Sequence, residues 1–128
     1  MDNDSQFSFF DFESLQLYKK SLDFIDFAYM ITDKFPREEI YGLTNQFRRA
    51  ANSIALNIGE GYGESISLAL RYLRIVRGSI RECLICSTVR YRREWINETE
   101  YIKTRELLTE LSKLSAGYMK YLKSKLKK

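Results

Sequence analysis

The stretch LTNQFRRAANSIALNIGEG, residues 43–61, decides how the rest of the chain is read. Leu43, Phe47, Ala50, Ala51, Ile54 and Ile58 recur at spacings that place them on one face of an α-helix. Ala50, Ala51 and Ala55 are small enough to let a second helix approach closely. Gly59, Gly61 and Gly63 then loosen the chain and end the helix. A helix with one apolar face needs partners to cover it, and the flanking sequence supplies three more segments of this kind.

Upstream, residues 14–34 carry two apolar sets. Leu15, Tyr18, Leu22, Ile25 and Tyr29 make one helical face, and Leu17, Phe24, Phe27 and Ile31 lie on another. A helix at the edge of a small bundle buries one stripe, so the second set is expected to pack against another subunit. The alternative cover for Phe24 and Phe27 is the Phe-rich N-terminal arm, with Phe7, Phe9, Phe10 and Phe12. Asp11 or Ser14 is placed to cap the helix start. Phe35-Pro36 ends the helix, because the residue before Pro avoids the α region. Residues 37–42 form a connector with room for one helical turn.

Downstream, Ser65 or Ser67 caps a third helix reaching about Arg93. Its apolar side is Leu68, Tyr72, Leu73, Ile75, Val76, Ile80, Cys83 and Cys86. Gly78 sits in the middle of it, where glycine costs about 1 kcal/mol relative to Ala, so a neighbouring backbone is expected to cross closely there. Trp95-Ile96-Asn97 leads to a fourth helix from about Glu98 to Lys125, with Leu107, Leu108, Leu111, Leu114, Tyr118, Tyr121 and Leu122 as its stripe. The expected class is all-α: an antiparallel up-and-down four-helix bundle over residues 14–122. An acidic Phe-rich arm, 1–13, and a basic tail, 123–128, flank it.

A chain of 128 residues with 45% apolar and 30% charged residues suits one globular domain. The net charge is +4, but Asp2, Asp4, Asp11 and Glu13 concentrate acid in an arm with no base, leaving a more basic body. That balance is compatible with a polyanionic partner. No run of 18 apolar residues suggests a membrane span, and the N-terminus lacks a signal-peptide pattern, so a cytoplasmic protein is expected.

Catalytic chemistry has little to work with. There is no histidine, which removes the commonest general base and metal ligand and every Ser-His or Cys-His pairing. Cys83 and Cys86 have the spacing of half a zinc site, but Leu84 and Ile85 lie between them and no second pair completes it. They read as buried thiols. Glu60 with Glu64, and Glu106 with Glu110, are carboxylates one turn apart without the Glu-x-x-His motif of di-iron bundles. Gly59–Gly63 lacks a P-loop lysine. The expectation is a protein that is not an enzyme and carries no metal or cofactor.

Two polar patterns remain. Gln46, Arg49, Ser53, Asn57 and Glu60 share one face of the second helix. This is either a solvated stripe or a polar seam against another helix or subunit. In a seam, Arg48 or Arg49 would need a carboxylate such as Glu60 or Glu82. The third helix carries Arg71, Arg74, Arg77 and Arg81, then Arg90, Arg92 and Arg93, opposed only by Glu82. With Lys120, Lys123, Lys125, Lys127 and Lys128 this makes a candidate phosphate-binding surface. No base-reading motif accompanies it, so binding would be largely independent of sequence.

Taken together, Leu15-x-x-Tyr18-Lys19, Phe35-Pro36-x-x-Glu39-x-Tyr41-Gly42-Leu43-x-x-Gln46-x-Arg48-Arg49-Ala50, Ser53-Ile54-x-x-Asn57-Ile58-x-Glu60-Gly61 and Gly78-Ser79-x-x-Glu82 strongly resemble the four helix bundle protein family. Some of its members are encoded by intervening sequences within bacterial large-subunit ribosomal RNA genes. The resemblance spans roughly residues 12–122. It implies a bacterial protein assembled as a ring-shaped homopentamer, with no established enzymatic activity. A distant relative is the basic, pentameric accessory protein of diversity-generating retroelements, which looks like a partner of reverse transcriptase and nucleic acid. RNA or DNA, or a protein such as a reverse transcriptase, is therefore the partner implied by analogy. Gly59 and Glu64 depart from the pattern, which commonly has Ala and a basic residue there. Glu64 lowers the positive charge at the end of the second helix.

Overall fold

The computed structural model describes residues 10–126, which form four α-helices and no strand. They are α1 (Gln16–Thr32), α2 (Asn45–Gly61), α3 (Ile66–Arg92) and α4 (Glu98–Leu126). A 3-10 turn, Asp11–Ser14, precedes α1. A second one, Arg37–Glu39, and a π turn, Ile40–Thr44, join α1 to α2. Asp2, Asp4, Phe7 and Phe9 of the arm, and Lys127 and Lys128 of the tail, lie outside the described residues.

Contacts between helices fix an antiparallel course. Tyr29 and Thr32 of α1 meet Asn52 and Arg48 of α2, in reverse order. Ser53 of α2 reaches Ser79 of α3, and Gly61 lies on Tyr72. Thr88 and Arg77 of α3 meet Tyr101 and Ser115 of α4. Lys20 of α1 and Lys34, just past its end, pair with Glu110 and Glu100 of α4, closing the bundle. The fully buried centre includes Phe24, Ile31, Phe47, Ile54, Val76 and Leu111, one or more from each helix. The Phe24 and Phe47 rings meet edge-to-face at 6.1 Å.

The inner face of α1 corrects the sequence reading. Leu17, Phe24 and Ile31, expected at a subunit interface, are buried within the chain itself, in a stripe with Ser21 and Ala28. Phe27 is half-buried and packs against the same core. Leu22 and Tyr29, expected inside, are exposed. The physical reason is size: Ser21 and Ala28 let α1 approach its neighbours, whereas the more uniformly apolar stripe is bulky throughout. Ser21 keeps its hydroxyl satisfied by donating to the Tyr18 carbonyl at 2.6 Å. Phe12 of the arm packs instead on Tyr18 and over Gly59.

The close helix crossing occurs at Gly61 rather than at Gly78. A Cβ on Gly61 would lie 2.7 Å from Cβ of Tyr72, whereas the nearest atom to one on Gly78 is Arg81 Nη2 at 3.7 Å. Gly63 has φ +80° in the turn to α3, a conformation glycine adopts freely. Ser65 caps α3, its Oγ accepting from Leu68 N at 3.3 Å. At the other end, Trp95 N donates to Arg90 O and Glu94 N to Tyr91 O, both at 3.0 Å. This paired closure places Glu94 at φ 63° in the left-handed region. Asn97 and Glu100 then cap α4 reciprocally: Glu100 N donates to Asn97 Oδ1 at 2.7 Å, and Asn97 N to Glu100 Oε1 at 3.0 Å.

Candidate nucleic-acid interface

Helical periodicity sorts the α3 arginines into three environments. Arg71, Arg74 and Arg81 are exposed on its outer face, and Arg92 and Arg93 are exposed at its far end. None of the five makes an ion pair or side-chain hydrogen bond among the described residues. Their donors are therefore available to phosphate oxygens. The Arg93 guanidinium lies 5.8 Å over the Trp95 ring.

Arg77 is half-buried and tied to α4. Its Nη1 donates to Ser112 O and to Ser115 Oγ, each at 2.9 Å. These two acceptors give no signal in the sequence. The tether places Arg77 at the wall of a cleft of about 600 Å³ between α3 and α4, lined also by Ala116, Met119, Lys120, Lys123 and Ser124. Arg77, Lys120 and Lys123 thus come together along one cleft.

Arg90 does not belong to this surface. Its side chain is fully buried, with the guanidinium carbon 4.4 Å from the Phe35 ring centre and 5.2 Å from that of Phe47. Nη1 donates to the Cys86 carbonyl at 3.2 Å, while Nε and Nη2 have no partner among the described residues. Burial pushes the Arg90 guanidinium below its ordinary value. It also pushes the neighbouring Cys83 and Cys86 thiols up, Arg90 opposing the rise at Cys86. Both thiols are buried and unbonded to one another. A thiol kept protonated in this way is a poor nucleophile. Among the described residues no cluster of three His, Cys, Asp or Glu side chains is placed to hold a metal.

The polar pattern on α2 divides. Arg48 turns away from it: Nε donates to Thr32 Oγ1 at 2.8 Å and Nη2 to Asp33 at 2.9 Å, and the guanidinium covers the Tyr29 ring at 4.6 Å. Its carboxylate is therefore Asp33, and not Glu60 or Glu82. Ser53 joins α2 to α3, accepting from Ser79 Oγ at 2.9 Å, while Asn57 folds back onto Ser53 of its own helix. Gln46, Arg49, Ser53 and Glu82 line a groove of about 780 Å³ between α2 and α3, together with Glu39 and Asn52. Glu60 stands apart, beside Phe12, Tyr18 and Tyr62. The connector supplies Tyr41, 94% exposed, and α2 supplies Leu56, 64% exposed, to the same groove.

No helix among the described residues is long and apolar enough to cross a membrane. A sequence model of the family described as 23S rRNA-intervening sequence protein matches residues 13–117. No curated protein matches the chain.

Proposed function

From the premise that this chain belongs to the 23S rRNA-intervening sequence protein family, we propose that it is a non-enzymatic helical-bundle protein that binds RNA or DNA through the phosphate backbone, with little sequence specificity. One observation carries the reading. Arg71, Arg74, Arg81, Arg92 and Arg93 are exposed and pair with no carboxylate among the described residues, and Arg77, Lys120 and Lys123 line a cleft one helical turn from Arg74 and Arg81. Phosphate is the ligand that such a surface fits, since guanidinium groups pair with it bidentately. The proposal extends to a cytoplasmic homo-oligomer, the ring-shaped homopentamer implied by the resemblance. Its support is now the exposed Leu22, Met30, Leu56 and Ile85 rather than the buried Phe24.

Fluorescence anisotropy with labelled RNA and DNA oligomers across a salt series tests the binding. The logarithm of affinity should fall linearly with the logarithm of salt. Arg74→Glu with Arg81→Glu should weaken binding at least about ten-fold while the helical circular dichroism stays unchanged. Absent or salt-insensitive binding at low ionic strength overturns the reading. The second reading is an assembly scaffold that binds a protein partner such as a reverse transcriptase. It is favoured by Tyr41 and Leu56 at the mouth of the α2–α3 groove. A partner retained after nuclease treatment, and lost on Tyr41→Ala, supports it.

A further inference from the structure

We infer that the nucleic acid taken by this surface is single-stranded, wrapping the outer face of α4 and stacking an unpaired base on Tyr121; this rests on the nucleic-acid reading above. Tyr121 is 53% exposed, and its ring lies 6.4 Å from that of Tyr118 with planes only 16° apart. Lys125 Nζ sits 4.8 Å from the Tyr121 ring centre. With 3.6 residues per turn, the solvent face of α4 reads in order Lys123, Lys120, Ser124, Tyr121, Lys125. The path thus begins in the Arg77 cleft, runs over two lysines and a hydroxyl, and ends on an aromatic ring under a third lysine.

Two physical arguments select an unpaired strand. The path bends around a single helix roughly 10 Å across. A duplex is stiff over about 150 base pairs and cannot follow that curvature, whereas a single strand can. Moreover, a duplex presents only phosphates and groove edges to a convex surface, so a protruding ring adds nothing to its binding. An unpaired base offers a π face that an exposed tyrosine takes regardless of sequence. Lys125, now over the ring, is displaced by the base and left beside the adjacent phosphate.

The test is anisotropy on the full-length chain with a mixed-sequence RNA of about 12 nucleotides, the matching DNA, and the duplex of each, at one salt concentration. Single strands should bind about ten-fold more tightly than duplexes. Tyr121→Leu should remove most of that preference and leave duplex binding unchanged, and Tyr121→Phe should retain it. Equal binding of duplex and single strand, or unaltered single-strand binding by Tyr121→Leu, overturns this inference and leaves the backbone-binding reading standing. If no oligomer binds, both fall. A preference of RNA over DNA, or the reverse, with Tyr121 still required, supports it and identifies the strand.

Discussion

Gly61 of α2 lies so close to Tyr72 of α3 that its missing side chain is occupied by its neighbour: a Cβ there would stand 2.7 Å from Tyr72 Cβ. Cβ is anchored to the backbone and cannot swing aside, so the helices themselves would have to part. Alanine ordinarily gains up to about 1 kcal/mol over glycine in a helix, less at a last residue such as this one. Overpacking costs about 1–3 kcal/mol. The clash wins, and Gly61→Ala should lower stability by about 1–2 kcal/mol in urea denaturation. Gly78→Ala should do the opposite, gaining about 0.5–1 kcal/mol, because only the flexible end of Arg81 is near.

Arg90 poses a different balance. A buried guanidinium with Nε and Nη2 unpartnered pays a desolvation penalty that one carbonyl and two phenyl rings only partly offset. Arg90→Met keeps the length and apolar volume while removing the charge. It should be neutral or stabilising, by up to about 4 kcal/mol. Arg90→Ala should instead lose about 2–5 kcal/mol by leaving a cavity between Phe35 and Phe47. Thermal and urea denaturation of the pair decides it. A methionine variant weaker than the parent by more than about 2 kcal/mol would mean that ring stacking outweighs desolvation.

Glu100 couples stability to acid. Partial burial alone would raise its carboxyl, but the hydrogen bond and charge of Lys34 at 2.7 Å, with the Asn97 N–H, hold it below its ordinary value. The stabilisation is therefore present above the ordinary glutamate value of about 4.3 and lost as pH falls through the lower folded value. Its size is about 1 kcal/mol, since Lys34 is largely exposed and the cap contributes the rest. Glu100→Gln should flatten the acid limb of the stability profile in urea titrations below pH about 5. An unchanged limb would remove Glu100 from the account.

The helices were legible because their apolar spacing is regular, and so was the Ser65 cap of α3. The cap expected from Asp11 or Ser14 at α1 is not made, because Leu15 takes the N-cap position and Ser14 Oγ donates instead to the Asp11 carbonyl. The choice of α1 face was not. Leu15, Tyr18, Leu22, Ile25 and Tyr29 have the same rhythm as Leu17, Ser21, Phe24, Ala28 and Ile31. Hydrophobicity favours the first, but helix approach is governed by size, and the stripe with Ser21 and Ala28 went inside. The arginine surface was legible as a charge run, and its exposed members are where periodicity puts them. Arg90 was not, because a run of arginines gives no sign that Phe35 and Phe47, from distant segments, will enclose one of them. The α2–α3 groove was half legible: Gln46, Arg49 and Ser53 share a helix face, while Glu39 arrives from a connector that periodicity cannot place.

The buried guanidinium also makes the two ends of the bundle unequal in time. When the α1–α2 connector lifts from the end of α3, Arg90 regains water, so opening there refunds part of its own free energy. Amide protons around Phe35, Thr44 and Arg90 should then exchange through sub-global fluctuations, sooner than those near Ile54, Val76 and Leu111. Opening is thus expected to concentrate where α3 ends. The opposite end, where Gly61 is packed on Tyr72 and α4 carries its lysines, is expected to open last and so to serve as a fixed platform.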